Sequence, residues 1–308
     1  MMIKKGFYKD VDAIEVKTEK LSALFLPQLG GKLCSLKTAG GLEFMAENPG
    51  ESYQALDLDG SFVATECAGF DDMLPTIDPC TITLSNGQSR YYYDHGEVCR
   101  VPWSAQIDGD HLVMGVRSPQ DDYFFQKSVH PSGDGAIQVD YSVENLTDHE
   151  LPFLYAAHFM LQAHRGAVIG VPDLQSSSAK LMFSSAGSIC RPGELIPKEK
   201  CRDILRSEPF DANADAYKYY LLEALTQGVF TYRFDNVAFR LEIDQKVLKY
   251  MGVWINNGNF KGMYNIAFEP CTAPLDSPQN AAAAGYEAVL PARGKLNWYM
   301  KFDFSAVK

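Results

Sequence analysis

The sequence predicts an all-β fold, a large antiparallel β-sandwich, on three observations. Alternating apolar runs recur along the chain, helical periodicity is scarce, and glycine and proline punctuate the runs. The best-formed run sets Ile137, Val139, Tyr141 and Val143 on one face, with Gln138, Asp140 and Ser142 between them. A period of two means a strand with one buried side. Phe230, Tyr232 and Phe234, then Val237, Phe239, Leu241 and Ile243, flank Asp235-Asn236 and predict a hairpin. Leu296, Trp298, Met300, Phe302 and Phe304 repeat the pattern at the C-terminus. Residues 21–26, 81–84, 112–116 and 247–255 are further strand candidates. Two stretches read as short helices, 214–225 and 276–284. No low-complexity linker or short repeat divides the 308 residues, so one domain, 1–308, is expected.

Charge and cysteine content remove several function classes. Lys and Arg number 28 against 39 Asp and Glu, a net charge of −11, and no basic run stands out. A nucleic-acid partner is therefore not expected. No window approaches a membrane span, and residues 1–12 carry no apolar stretch of signal-peptide length, so no membrane partner is expected. The seven cysteines are odd in number, scattered, and form no Cys-x-x-Cys pair. That spacing argues against a zinc or redox framework and fits reduced thiols in a cytoplasmic protein. Asn145-Leu146-Thr147 matches the glycosylation sequon and is read as chance. Walker, Gly-x-Gly-x-x-Gly, Gly-x-Ser-x-Gly and His-Glu-x-x-His motifs are absent. His95-Gly96-Glu97 has the His-x-Glu form of a zinc deaminase, but no Pro-Cys-x-x-Cys follows it.

Four polar segments remain. They are Gly69-Phe70-Asp71-Asp72-Met73-Leu74-Pro75-Thr76; Tyr93-Asp94-His95-Gly96-Glu97; Glu144-Asn145 with Leu151 through His158; and Trp254-Ile255-Asn256-Asn257 leading to Phe268-Glu269-Pro270. In this order and spacing they resemble the galactose mutarotase-like superfamily, whose members include the aldose 1-epimerases. The resemblance runs from Leu26-Pro27-Gln28-Leu29-Gly30-Gly31 to Leu290-Pro291-Ala292-Arg293-Gly294 and Trp298. It implies an antiparallel supersandwich with a concave sugar-binding face. It also implies His158 as general acid, Glu269 as general base and His95 as a sugar contact.

The chemistry calls for those residue types. Interconverting anomers opens and recloses the sugar ring, so a base takes the C1 hydroxyl proton while an acid serves the ring oxygen. A glutamate, ordinarily near pKa 4.3, is ionised at neutral pH; a histidine near 6.5 gives up a proton readily. Two groups on opposite sides of the ring, with pKa values held apart, are the expected arrangement, with no metal or cofactor. The expected function is thus a cofactor-independent isomerase acting on an aldose. The alternative is a non-catalytic carbohydrate-binding protein on the same scaffold. A calcium ion on the acidic loops is a minor expectation, and the oligomeric state is left open.

The chain also departs from the family pattern. Best-known mutarotases carry an Asn-Arg pair near the N-terminal strands, where Gly30-Gly31-Lys32-Leu33 stands here. Lys32 is an imperfect substitute for that pair in sugar binding. Glu97-Val98 follows His95-Gly96, where hexose-6-phosphate relatives tend to have an arginine, and a carboxylate disfavours phosphate; Arg100 is the nearest cation. Asp72, with Asp71, either binds sugar hydroxyls or caps a loop. Trp254, like Trp103, either stacks on the apolar face of a sugar or belongs to the core.

Overall fold

The computed structural model describes residues 2–48, 50–53, 55–120, 122–133, 135–201 and 215–306. Two large sheets, antiparallel at every pairing, make up the fold. The first has ten strands in the spatial order Met2–Tyr8, Val11–Lys17, Leu21–Leu26, Lys32–Thr38, Phe70–Met73, Ala156–Gln162, Tyr264–Cys271, Tyr250–Asn257, Ala216–Leu221 and Ala179–Ser184. The second has eight: Val168–Gly170, Val229–Phe234, Val237–Ile243, Lys295–Ala306, Ala136–Asn145, Tyr123–Ser132, His111–Arg117 and Ser104–Asp108. Two short ribbons, Cys80–Thr83 with Ser89–Tyr92 and Leu151–Pro152 with Val289–Leu290, lie outside them.

Period-two alternation sets the core between the sheets. Ile137, Val139, Tyr141 and Val143 are buried on the inner face of the eight-stranded sheet. Across the gap Phe159 meets Phe239 at 5.5 Å and Phe302 at 5.0 Å between ring centroids, and Phe268 meets Phe230 at 5.9 Å. Strand pairing joins Val229–Phe234 to Val237–Ile243 across the Asp235-Asn236 turn, with Asp235 at φ 47°. An ion pair is enclosed in this core. Lys127 Nζ lies 2.8 Å from Asp72 Oδ2 and donates to Gly31 O at 2.7 Å, while Tyr155 donates to Asp72 Oδ1 at 2.6 Å.

One helix expectation is corrected. Within 214–225, Ala216–Leu221 is a strand with all six side chains buried; Ala214 lies outside the described residues. Tyr217, Tyr219 and Leu221 face the core, while Lys218 and Tyr220 face away from it. Tertiary burial on both faces overrides the weak helical signal of the flanking Ala and Leu. Within 276–284 the helix is Pro278–Ala283, capped by Ser277 Oγ accepting from Asn280 N at 3.1 Å. Asn145 is fully buried, its Nδ2 donating to the carbonyls of His149, Leu290 and Pro291, so the sequon asparagine serves a turn. None of the seven cysteines is bridged. Among the described residues no helix is long and apolar enough to cross a membrane.

Candidate functional site

The outer face of the ten-stranded sheet carries a cavity of about 380 Å³. Its position follows from strand parity. Phe70, Phe159, Phe268, Val253 and Tyr219 point into the sandwich, so their neighbours Asp71, His158, Glu269, Trp254 and Lys218 point the other way, into the cavity.

Register then brings His158 and Glu269 together. Pairing Ala156 with Cys271 and Phe159 with Phe268 sets His158 opposite Glu269 on adjacent strands. His158 Nε2 stands 3.4 Å from Glu269 Oε1 and makes no formed hydrogen bond, although His158 is only 8% exposed. On the other side of Glu269 lies Gly252. A Cβ there would sit 2.8 Å from the Tyr220 ring and 3.2 Å from Glu269 Oε2, so a glycine is what admits the carboxylate.

The structure adds Lys218, which the sequence reading did not single out. Its Nζ lies 2.7 Å from Glu269 Oε2 and 2.7 Å from Asp276 Oδ1, and Tyr220 donates to the same Asp276 oxygen at 2.7 Å. Burial would push the Glu269 carboxyl up, but the charges of His158 and Lys218 prevail and hold it well below the usual carboxylate range. Lys218 is buried too, yet the two carboxylates raise its pKa above the ordinary lysine value, so it is a fixed cation. The signal that could have found it is a lone lysine inside the apolar Ala216-Tyr217-Lys218-Tyr219-Tyr220-Leu221 run, where a buried charge needs partners.

His95 faces His158 from a turn, with 5.0 Å between ring centroids. It is held from three sides. Phe62 stacks on it at 4.2 Å, Asp94 Oδ1 lies 2.7 Å from Nδ1, and the backbone takes the left-handed φ of 58°. Gly96 follows at φ 73°, where a Cβ would lie 2.3 Å from Leu74 O. Burial pushes the His95 pKa down to about 4 against the raising effect of Asp94, so the ring is neutral at pH 7. A neutral ring bonded to a carboxylate through Nδ1–H leaves Nε2 an acceptor. Arg100 secures the loop rather than meeting a ligand: its guanidinium donates to the carbonyls of Gly96, Asp57, Gly60 and Asp94.

Two residues expected to bind sugar do not line the cavity. Asp72 follows Asp71 on the same strand and so points the opposite way, into the core against Lys127 and Tyr155. Its neighbour Asp71 lines the cavity instead. Lys32 lies behind that carboxylate, ion-paired with Asp71 and with Glu66 at 3.1 Å, and donating to Ala68 O at 3.0 Å. His158 and Glu269 stand side by side on the cavity floor. Trp254 lines the cavity, its Nε1 donating to Asn265 Oδ1 at 3.0 Å. Among the described residues no group of three or more His, Cys, Asp or Glu side chains is placed to hold a metal ion.

No protein-family profile matches the sequence, and no curated protein does. Solved structures do match. A galactose mutarotase-like protein from Clostridium acetobutylicum is 16% identical, superposes with a TM-score of 0.69, and is covered over 99% of its length by all of this chain. The fold is galactose mutarotase-like. A proposed aldose 1-epimerase from Escherichia coli K12 matches at 15% identity and a TM-score of 0.69, over 95% of this chain and 98% of its own. Another, from Klebsiella pneumoniae, matches at 11% identity and a TM-score of 0.72, over 98% of this chain and 83% of its own. At such identities the likeness carries the mutarotase-like fold and not an activity.

Proposed function

We propose that the protein is a cofactor-independent isomerase that interconverts the anomers of an aldose by acid–base ring opening. The observation that carries this reading is the His158–Glu269 contact on the cavity floor, 3.4 Å between Nε2 and Oε1. The two oxygens that exchange protons in the reaction are bonded to the same sugar carbon. A base and an acid side by side therefore suit them, provided the ring lies over both. Glu269 takes the C1 hydroxyl proton and His158 gives one to the ring oxygen; the C1–O bond breaks, C1 turns, and the steps reverse on closure. Lys218 is ion-paired with Oε2, which leaves Oε1 toward His158 and the ligand. Neutral His95 accepts a sugar hydroxyl through Nε2, and Trp254 offers an apolar face to the ring.

Lys218 also favours a second reading. A carboxylate stabilised by a lysine is a weaker proton acceptor, which suits a carbohydrate-binding protein that does no chemistry. Anomer exchange in freshly dissolved aldoses and their 6-phosphates, followed by polarimetry or NMR, separates the two. An isomerase equilibrates at least one sugar faster than buffer. Binding without faster exchange across the panel would favour the second reading.

A further inference from the structure

Two rows of side chains cross the cavity floor, and the function proposed above uses mainly the first. That row runs Asp71, His158, Glu269, Gly252, Tyr220 across five paired strands. Two residues along, the second row runs Met160, Ala267, Trp254, Lys218, Phe183. At a rise of about 3.3 Å per residue the rows lie roughly 7 Å apart. Apart from Lys218, whose charge is turned to Glu269 and Asp276, the second row is apolar.

Neighbouring segments extend this apolar row into a wall. A bulge between Leu181 and Phe183 turns the adjacent Met182 and Phe183 both onto the cavity. Phe183 stacks on Trp254 at 5.6 Å, and Phe260 meets Trp254 edge-on at 5.5 Å. Met263 completes the wall. At the mouth Phe183 is 37% exposed and Val63 44%, large apolar surface left open beside a polar floor.

A bare hexose fits this enclosure poorly. It fills roughly half of the 380 Å³ and leaves much of the methionine and aromatic surface of the wall uncovered. Charge excludes another class. Asp71, Asp78, Glu269 and Asp276 line the cavity, and Lys218 already neutralises part of that set. A phosphate or carboxylate on the ligand would meet net negative charge, and among the described residues lining the cavity the one lysine, Lys218, is already ion-paired. Arg100 is committed to backbone carbonyls.

We infer that the ligand is an uncharged sugar carrying an apolar substituent, a deoxy or acyl group, on the side of the ring away from the anomeric carbon, and that the Trp254–Phe183–Met182 wall receives it. This rests on the anomeric carbon lying over His158 and Glu269. The test is calorimetric affinity for a hexose, its 6-deoxy counterpart, its 6-O-hexanoyl ester and its 6-phosphate, with anomer exchange read on the same samples. Affinity should rise from 6-phosphate through hexose and 6-deoxyhexose to the ester. The ester should gain about tenfold or more over the parent, as burial of even two methylenes provides. Phe183→Ser and Met182→Ser, at the rim, should each shrink that ratio. Equal affinity for parent and ester, tightest binding of the 6-phosphate, or no binding by any of the four would overturn the inference. An ester that binds preferentially but does not exchange its anomers would refute the isomerase reading and uphold this one. Rapid exchange with no preference for the ester would do the reverse.

Discussion

Replacing Lys218 with methionine isolates the electrostatics of the site, because methionine keeps much of the volume and removes the charge. Lys218 Nζ lies 2.7 Å from a carboxylate oxygen of both Glu269 and Asp276. At an effective dielectric of about 20, unit charges at that distance attract by roughly 6 kcal/mol, largely offset by the cost of burying the ammonium. What remains is the penalty of two buried carboxylates without their cation, about 3–5 kcal/mol. For a domain of this size that lowers Tm by roughly 6–10 °C. The Glu269 carboxyl should also rise. Burial pushes it up already, and the variant leaves His158 as the cation in contact with it. An adjacent cation typically holds a carboxyl down by about 1–3 units, so its titration should move up by at least about one. In the wild type, a carboxyl depressed on folding stabilises the protein above its unfolded pKa, and that stability is lost as pH falls from the unfolded value through the lower folded one. In Lys218→Met the folded value lies closer to the unfolded one, so this loss is smaller and ends at milder acidity. Carbon-13 NMR of the carboxylates and thermal melts across acid pH read both effects without needing activity. An unshifted Glu269 titration, or a variant as stable as the wild type near pH 5, would refute the electrostatic reasoning.

Two further outcomes follow from the same geometry. Asp72→Asn should cost about 3–5 kcal/mol of stability by stranding Lys127 in the core, yet change sugar affinity less than about twofold; an affinity loss without a drop in Tm would return Asp72 to the binding face. His95 takes up its proton near pH 6.5 when unfolded and near 4 when folded, so between those values the unfolded chain binds more protons and stability falls as pH falls, by up to about 3 kcal/mol. His95→Gln should flatten that part of the stability–pH curve, and a curve of unchanged slope would contradict a buried neutral His95.

Strand parity explains how much could be read in advance. The alternation of 137–143, the 230–243 hairpin and the C-terminal run each define one buried face, so the sandwich was legible from local pattern alone. His158 and Glu269 came from motif order, and their contact needed the register of two strands separated by about a hundred residues. Asp72 went astray because Asp71-Asp72 carries no alternation to say which carboxylate faces out. Lys32 reaches only the back of Asp71, a distance that no sequence spacing encodes. Lys218 stayed hidden because its partners, Glu269 and Asp276, lie over fifty residues downstream.

The most direct test of the central claim is anomer exchange by wild type and Glu269→Gln on the same sugar, each sample shown to be folded. Glutamine keeps the shape of the side chain and removes the base, so the account predicts a loss of about 10²–10⁴ in kcat. Sugar affinity should weaken by no more than a hydrogen bond, about 0.5–1.5 kcal/mol. His158→Asn should lose a comparable factor, and the double variant far less than the product, because the pair acts as a unit. Full exchange activity in Glu269→Gln would contradict the assignment of the base and, with it, the account of this cavity.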